Sequence, residues 1–224
     1  MDLAQAALTL KKFGGSDLTL TLGKIESSVR GLRGENCAES IATLGASKEV
    51  LVAAGLLKAV AGQINVVIHA LGILLCIPHI LEKGELIENV SLGAGNSGRA
   101  HDLETSHRIA EFKFIRWRGH DAVRENSLFK DYFSLAASQS PKRKYLYLLG
   151  TDYPLKFLNG GRALSSVLTS HRLKSEFEQK CGGQLKTVRD YYVIHKDAVT
   201  IEDVSEYVAS LVPSDIEIDV EAQQ

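Results

Sequence analysis

The chain has 224 residues, 45% hydrophobic and 24% charged, with 19 Gly, 4 Pro and a formal net charge of −1. This composition excludes disordered and collagen-like classes and is ample for a hydrophobic core in one decorated domain. Cys37, Cys76 and Cys181 are odd in number, widely spaced and without a CxxC pair, which points away from disulfide frameworks and zinc knuckles and toward a reducing cytoplasm.

Residues 1–46 read as a helical N-terminal extension. Leu3, Ala7 and Leu10 have helical spacing up to the break at Gly14-Gly15. Ser16 or Asp17 then suits the cap of a second helix, although the alternation of Leu18, Leu20 and Leu22 also fits a short strand. From Ser47 a third helix is predicted to about residue 75, broken or kinked near Pro78, and its apolar character on most faces predicts burial. The apolar stretch 64–81 is interrupted by Asn65, His69, Pro78 and His79, which argues against a membrane span. No basic segment followed by an apolar one opens the sequence, so no secretory signal is read there.

Residues 85–92 alternate in part and predict a strand, followed by a glycine-rich loop at 93–98. That loop matches GxGxxG, but a strand rather than a helix follows it, so it is read as a loop at a site's rim and not as a dinucleotide site. Strands are predicted at 100–105 and 108–117, joined by a turn at Ser106-His107. Asp121 caps a helix over 121–137 with an apolar stripe of Val123, Phe129, Tyr132, Phe133 and Ala136. A buried strand at 144–149, a helix from Asn159 to about Phe177, a strand at 185–194 and a helix beginning at Thr200 or Ile201 complete the reading. The fold class is α/β: a mixed sheet flanked by helices, with a core at 47–180 and a strand–helix addition with an acidic tail at 181–224.

The hairpin carries the chemistry. A two-residue turn at Ser106-His107 pairs Thr105 with Arg108, which sets Asp102 opposite Glu111 on one face of the sheet. Lys113 lies two residues beyond Glu111 on that same face, whereas Ala110, Phe112 and Phe114 alternate to the other. Two converging carboxylates suit a hard cation such as Mg²⁺, with Mn²⁺ as a substitute, and a neighbouring ammonium suits a water or phosphoryl oxygen. Glu104 shares the parity of Asp102 and is a further candidate ligand.

Asp102 followed by Glu111-Phe112-Lys113, in a helix–strand–strand–strand–helix–strand order, resembles the PD-(D/E)XK nuclease superfamily of restriction-endonuclease-like fold. His101 stands where that pattern has proline. The resemblance implies Asp102 and Glu111 as metal ligands, the Phe112 carbonyl as a further ligand and Lys113 as the catalytic lysine.

Charge placement agrees with a polyanionic partner. Residues 108–174 hold 13 Lys and Arg against 5 Asp and Glu, while the acidic residues gather in 197–221. Arg116, Arg118, Arg124, Asn126, Lys130 and Arg162 are the candidate contacts to a nucleic-acid backbone. The expectation is therefore a cytoplasmic Mg²⁺-dependent nuclease acting on nucleic acid, DNA in the first instance, without a membrane partner and with homodimerisation left open. The rivals are a catalytically silent binding module of the same fold and a phosphoesterase for small molecules. Metal affinity discriminates the first rival, and salt-sensitive polynucleotide binding the second.

Overall fold

The computed structural model describes residues 1–30, 41–93, 101–115, 117, 119, 121–182 and 184–211. The chain divides into two compact units, with the boundary between Asn65 and Val66. That boundary falls inside a helix, some twenty residues past the edge expected from sequence.

In the first unit, α1 (Leu3–Gly14) is capped by Asp2, whose carboxylate accepts from the Gln5 N–H at 2.8 Å. It ends at Gly15, whose φ of 60° suits a residue without Cβ. In α2 (Leu18–Val29) the Asp17 carboxylate accepts from the Leu20 N–H at 3.0 Å. That cap decides between the two sequence readings, and Leu18, Leu20 and Leu22 lie exposed on a helix. α3 (Lys48–Ile80) starts where the Ser47 hydroxyl accepts from the Val50 N–H at 3.3 Å. It runs through Pro78 because a proline in the last turn removes only one ladder bond.

The expected burial of α3 is corrected. Its most apolar window is 17% buried, although the helix is long and apolar enough by length and composition to cross a membrane. Only one face of its C-terminal half meets the sheet, through residues such as Ile73 and Cys76, while Val67, Leu71, Leu74 and Leu75 stay about half exposed.

The second unit is built on a five-stranded mixed sheet in the order β1–β5: β1 (Ile87–Val90), β2 (Leu103–Thr105), β3 (Arg108–Lys113), β4 (Arg143–Leu148) and β5 (Thr200–Asp203). The first three strands form an antiparallel meander, and β3, β4 and β5 run parallel. The hairpin register is the one expected, with Leu103 opposite Ala110 and Glu104 opposite Ile109. The Thr105 hydroxyl stabilises the turn by accepting from the His107 and Arg108 N–H groups at 3.1 and 2.9 Å.

Both sheet faces are covered. Leu103, Ala110, Phe112, Phe114, Tyr145 and Tyr147 pack on the α3 side. Ile109, Leu146 and Leu148 pack on the other side against Phe129, Tyr132 and Phe133 of α4 (Ala122–Ala137). Asp121 caps α4 through the Val123 and Arg124 N–H groups, as predicted, but Val123 is 79% exposed and leaves the apolar stripe. Packing is close at Gly72 of α3, where a Cβ would lie 2.7 Å from the Phe114 ring. Gly72→Ala is therefore expected to destabilise the protein by about 1–3 kcal/mol despite the better helix propensity of alanine. Chemical denaturation measures it, and an unchanged or raised midpoint contradicts this account of the contact.

The C-terminal third departs most from the sequence reading. A helix not expected from sequence, α5 (Asp152–Leu158), comes first, and in place of one helix over 159–177 stand α6 (Leu164–Val167) and α7 (His171–Cys181). The strand expected at 185–194 is α8 (Val188–His195), and the helix expected from 200 is strand β5. The reason for α8 is a capping box: the Thr187 hydroxyl accepts from the Asp190 N–H at 3.2 Å, and the Asp190 carboxylate accepts from the Thr187 N–H at 2.8 Å. This cap prevails over the β-rich run Tyr191-Tyr192-Val193-Ile194.

Candidate active site

Asp102, Glu111 and Lys113 converge where β2 begins and the antiparallel β3 continues past it. Asp102 sits one residue before β2, and its Oδ2 accepts from the Phe112 N–H at 2.9 Å, which fixes the carboxylate at the open side of β3. A residue's N–H and C=O point to one side of a strand, so the Phe112 carbonyl faces this same side. The Lys113 carbonyl points the other way and accepts from the Leu149 N–H at 3.2 Å.

Three residues join this set. His69 of α3 brings Nε2 to 3.3 Å from Asp102 Oδ1. His101 brings Nδ1 to 3.2 Å from Glu111 Oε1. Asp131 of α4 forms an ion pair with the Lys113 ammonium. In sequence His69 is only a polar interruption of an apolar helix, and His101 lacks metal-ligand spacing. The signal for Asp131 was available: it is a lone acid between Leu128-Phe129 and Tyr132-Phe133, on the face that α4 buries.

The electrostatics follow from three carboxylates around one ammonium in a largely buried setting. Burial opposes ionisation of Asp102, but the hydrogen bonds from His69 and Phe112 and the charges of His69 and Lys113 outweigh it and hold this carboxyl below its usual range. Glu111 goes the other way. Burial and the charges of Asp102 and Asp131 push it up to about 7 against the hydrogen bond from His101. Burial disfavours the charged form of Lys113, yet Asp131, Glu111 and Asp102 together raise its pKa. Two neighbouring carboxyls are thus held in different ionisation states, the pattern that divides acid from base work.

The donor set fits a hard divalent cation: carboxylate oxygens on Asp102 and Glu111, a backbone carbonyl beside them, and a local excess of negative charge that raises the Glu111 pKa. A second group, Glu82, Glu85 and His107, brings its ligand atoms within 4.8 Å of one another. Those carboxylates are already committed. Glu85 takes a bidentate pair from Arg108, with both N···O distances 2.7 Å, and Glu82 pairs with Arg143 at 2.6 Å. This cluster is a charge-balanced ion-pair network.

The other sequence candidates are dispersed. Glu104 pairs with Lys142 at 2.8 Å and so is held by a neighbouring cation. Arg116 and Arg118 lie outside the described residues. Arg124 pairs with Asp121 at 3.3 Å, and Arg162 forms an ion pair with the buried Glu125. Asn126 keeps Oδ1 buried without a hydrogen bond from the described residues, and Lys130 is exposed. A cavity of about 170 Å³ opens beside Lys113, with Arg124 on its wall and Ile115, Trp117 and Leu149 as apolar lining. It lies at the carboxyl ends of the parallel strands β3 and β4, where open α/β sheets admit ligands. Comparison of the chain with protein-family models, with curated proteins and with solved structures finds no match.

Proposed function

We propose that this protein is a restriction-endonuclease-like, metal-dependent phosphodiesterase that cleaves nucleic acid, with DNA as its first candidate substrate and the cytoplasm as its setting. The observation that carries the reading is the set Asp102, Glu111 and Lys113 gathered at one strand end, with Asp131 gripping the lysine. Asp102, Glu111 and the Phe112 carbonyl would hold Mg²⁺ or Mn²⁺. When bound, the cation would polarise a phosphoryl oxygen and acidify water. Lys113 then orients the attacking water and offsets charge on the phosphoryl group, while Asp131 keeps the ammonium charged and in place. His69 and His101 fix the carboxylate rotamers, and the basic residues in excess over 108–174 would meet the backbone, so that binding would weaken steeply with salt.

The test is incubation with single- and double-stranded DNA and RNA in Mg²⁺, Mn²⁺ or EDTA. Cleavage is expected only with metal, and Asp102→Ala and Lys113→Ala should each lower its rate by at least about 10²–10³-fold. Metal-independent cleavage, or full activity in either variant, sinks the assignment. One observation favours a second reading, a silent binding module: the Lys113 ammonium is already paired with Asp131. That reading expects salt-sensitive polynucleotide binding, no cleavage of any polymer, and no heat on calorimetric titration with Mg²⁺ or Mn²⁺.

A further inference from the structure

Two cavities adjoin one another beside Lys113, and both have Trp117 in their walls. The first, of about 170 Å³, runs from Lys113 over Ile115, Leu128, Leu148 and Leu149, so apolar side chains make most of its wall. The second, of about 490 Å³, is lined by Tyr153, Lys156, Phe157 and Arg162. Tyr153 and Pro154 are adjacent in α5 and line one cavity each, so the two follow one another around the start of that helix. Every one of these residues lies in the second unit.

The two walls suit different parts of one polymer. A phosphate gains nothing from aliphatic walls, whereas a nucleobase has an apolar face to bury. At about 170 Å³ the first cavity has room for one side group of a polymer and none for a second strand. The second offers cations beside aromatic rings, the combination that holds an unpaired strand by its backbone and stacks its bases. Tyr153 is 41% exposed there, and Lys156 is exposed with no ion pair among the described residues. Glu125 is the acid on that wall among the described residues; it is buried and paired with Arg162. A base in a duplex reaches the first cavity only by leaving its stack and its partner, a cost that an unpaired strand does not carry. We infer, resting on the nuclease reading proposed for this site, that its substrate is single-stranded DNA. One base enters the apolar cavity beside Lys113, and the adjoining nucleotides run over Tyr153 with their phosphates on Lys156 and Arg162.

The experiment is fluorescence anisotropy of the full chain in EDTA, where metal-dependent cleavage is silent, with labelled oligodeoxythymidylate and with its duplex on oligodeoxyadenylate. Wild type is expected to bind the single strand more tightly than the duplex by at least about tenfold, the worth of one stacked base. Tyr153→Ala should cost about tenfold in single-strand affinity and leave duplex affinity unmoved. Lys156→Gln should flatten the slope of log affinity against log salt by about 0.7, one phosphate of a single strand. Ser127→Phe fills the apolar cavity from an exposed position on its wall and should likewise weaken single-strand binding, with circular dichroism unchanged. Equal affinity for the two probes, or binding of neither, overturns the inference. So does a folded Tyr153→Ala or Ser127→Phe chain whose single-strand affinity is intact. A chain that prefers the single strand but cleaves no polymer keeps the track and removes the nuclease reading. One that cleaves duplex in Mg²⁺ while binding both probes equally keeps the nuclease and removes the track.

Discussion

Glu85→Ala should lower the unfolding free energy by about 3–5 kcal/mol, the usual cost of breaking a buried ion pair from one side. Arg108 is 3% exposed and is held by Glu85 at both Nε and Nη2, while its Nη1 donates to the Tyr147 hydroxyl at 2.9 Å. The Glu85 carboxylate also accepts from the Thr105 hydroxyl, so one acid ties the turn before β1 to β2, β3 and β4. Removing it leaves the buried guanidinium with the Tyr147 hydroxyl and a half-exposed Glu82 at 3.8 Å as its remaining partners. Denaturant titration measures the loss, and a drop below about 1 kcal/mol would mean that water reaches Arg108 freely. Acid should act like the mutation. Burial disfavours the Glu85 charge, but Arg108, the Glu82 N–H and Thr105 hold its pKa down to about 2. Its contribution is therefore complete above the ordinary carboxyl range and is lost as pH falls through about 2. Wild type should lose stability along that limb, and Glu85→Ala should lose less.

Glu111→Gln should raise stability while removing the proposed activity. The folded protein holds this carboxyl at about 7, above its ordinary value of 4.5, so folding favours its protonated form. Stability from this group is thus fully present below about 4.5 and is lost as pH rises through about 7. Glutamine cannot ionise, which spares the variant that loss, and it still accepts from His101. The variant is expected to match wild type near pH 4.5 and to exceed it by about 3 kcal/mol at pH 8. Millimolar Mg²⁺ at pH 8 should raise the melting temperature of wild type and leave that of Glu111→Gln unmoved, because a ligand stabilises only the state that binds it. Equal stability at pH 8 would show that Glu111 ionises without strain, and an equal metal effect in both chains would place the cation elsewhere.

The hairpin illustrates what was legible from residues alone. A two-residue turn and the two-residue period of a strand fix which side chains oppose each other, and both are local properties. They are enough to put Asp102 opposite Glu111 and Phe112 on the apolar face, and Asp17, Ser47 and Asp121 mark helix starts for the same local reason. The run at 191–194 reads as a strand because aromatic and β-branched composition speaks for strand more loudly than a four-residue box speaks for helix. The exposure of α3 is not legible in its residues, because hydrophobicity reports a need for cover without saying what supplies it.

Sequence by itself thus determined the α/β class, the register of the hairpin and the identity of the three residues at its open end. Tertiary structure alone decided their company and their charge: His69 on Asp102, Asp131 on Lys113, Arg108 on Glu85, and two carboxyls ionising far apart. The division has a physical cause. Caps, turns and strand parity are settled by bonds between residues a few positions apart. Ion pairs across tens of residues, and the burial that shifts a carboxyl, exist only once α3 and α4 have closed on the two faces of the sheet.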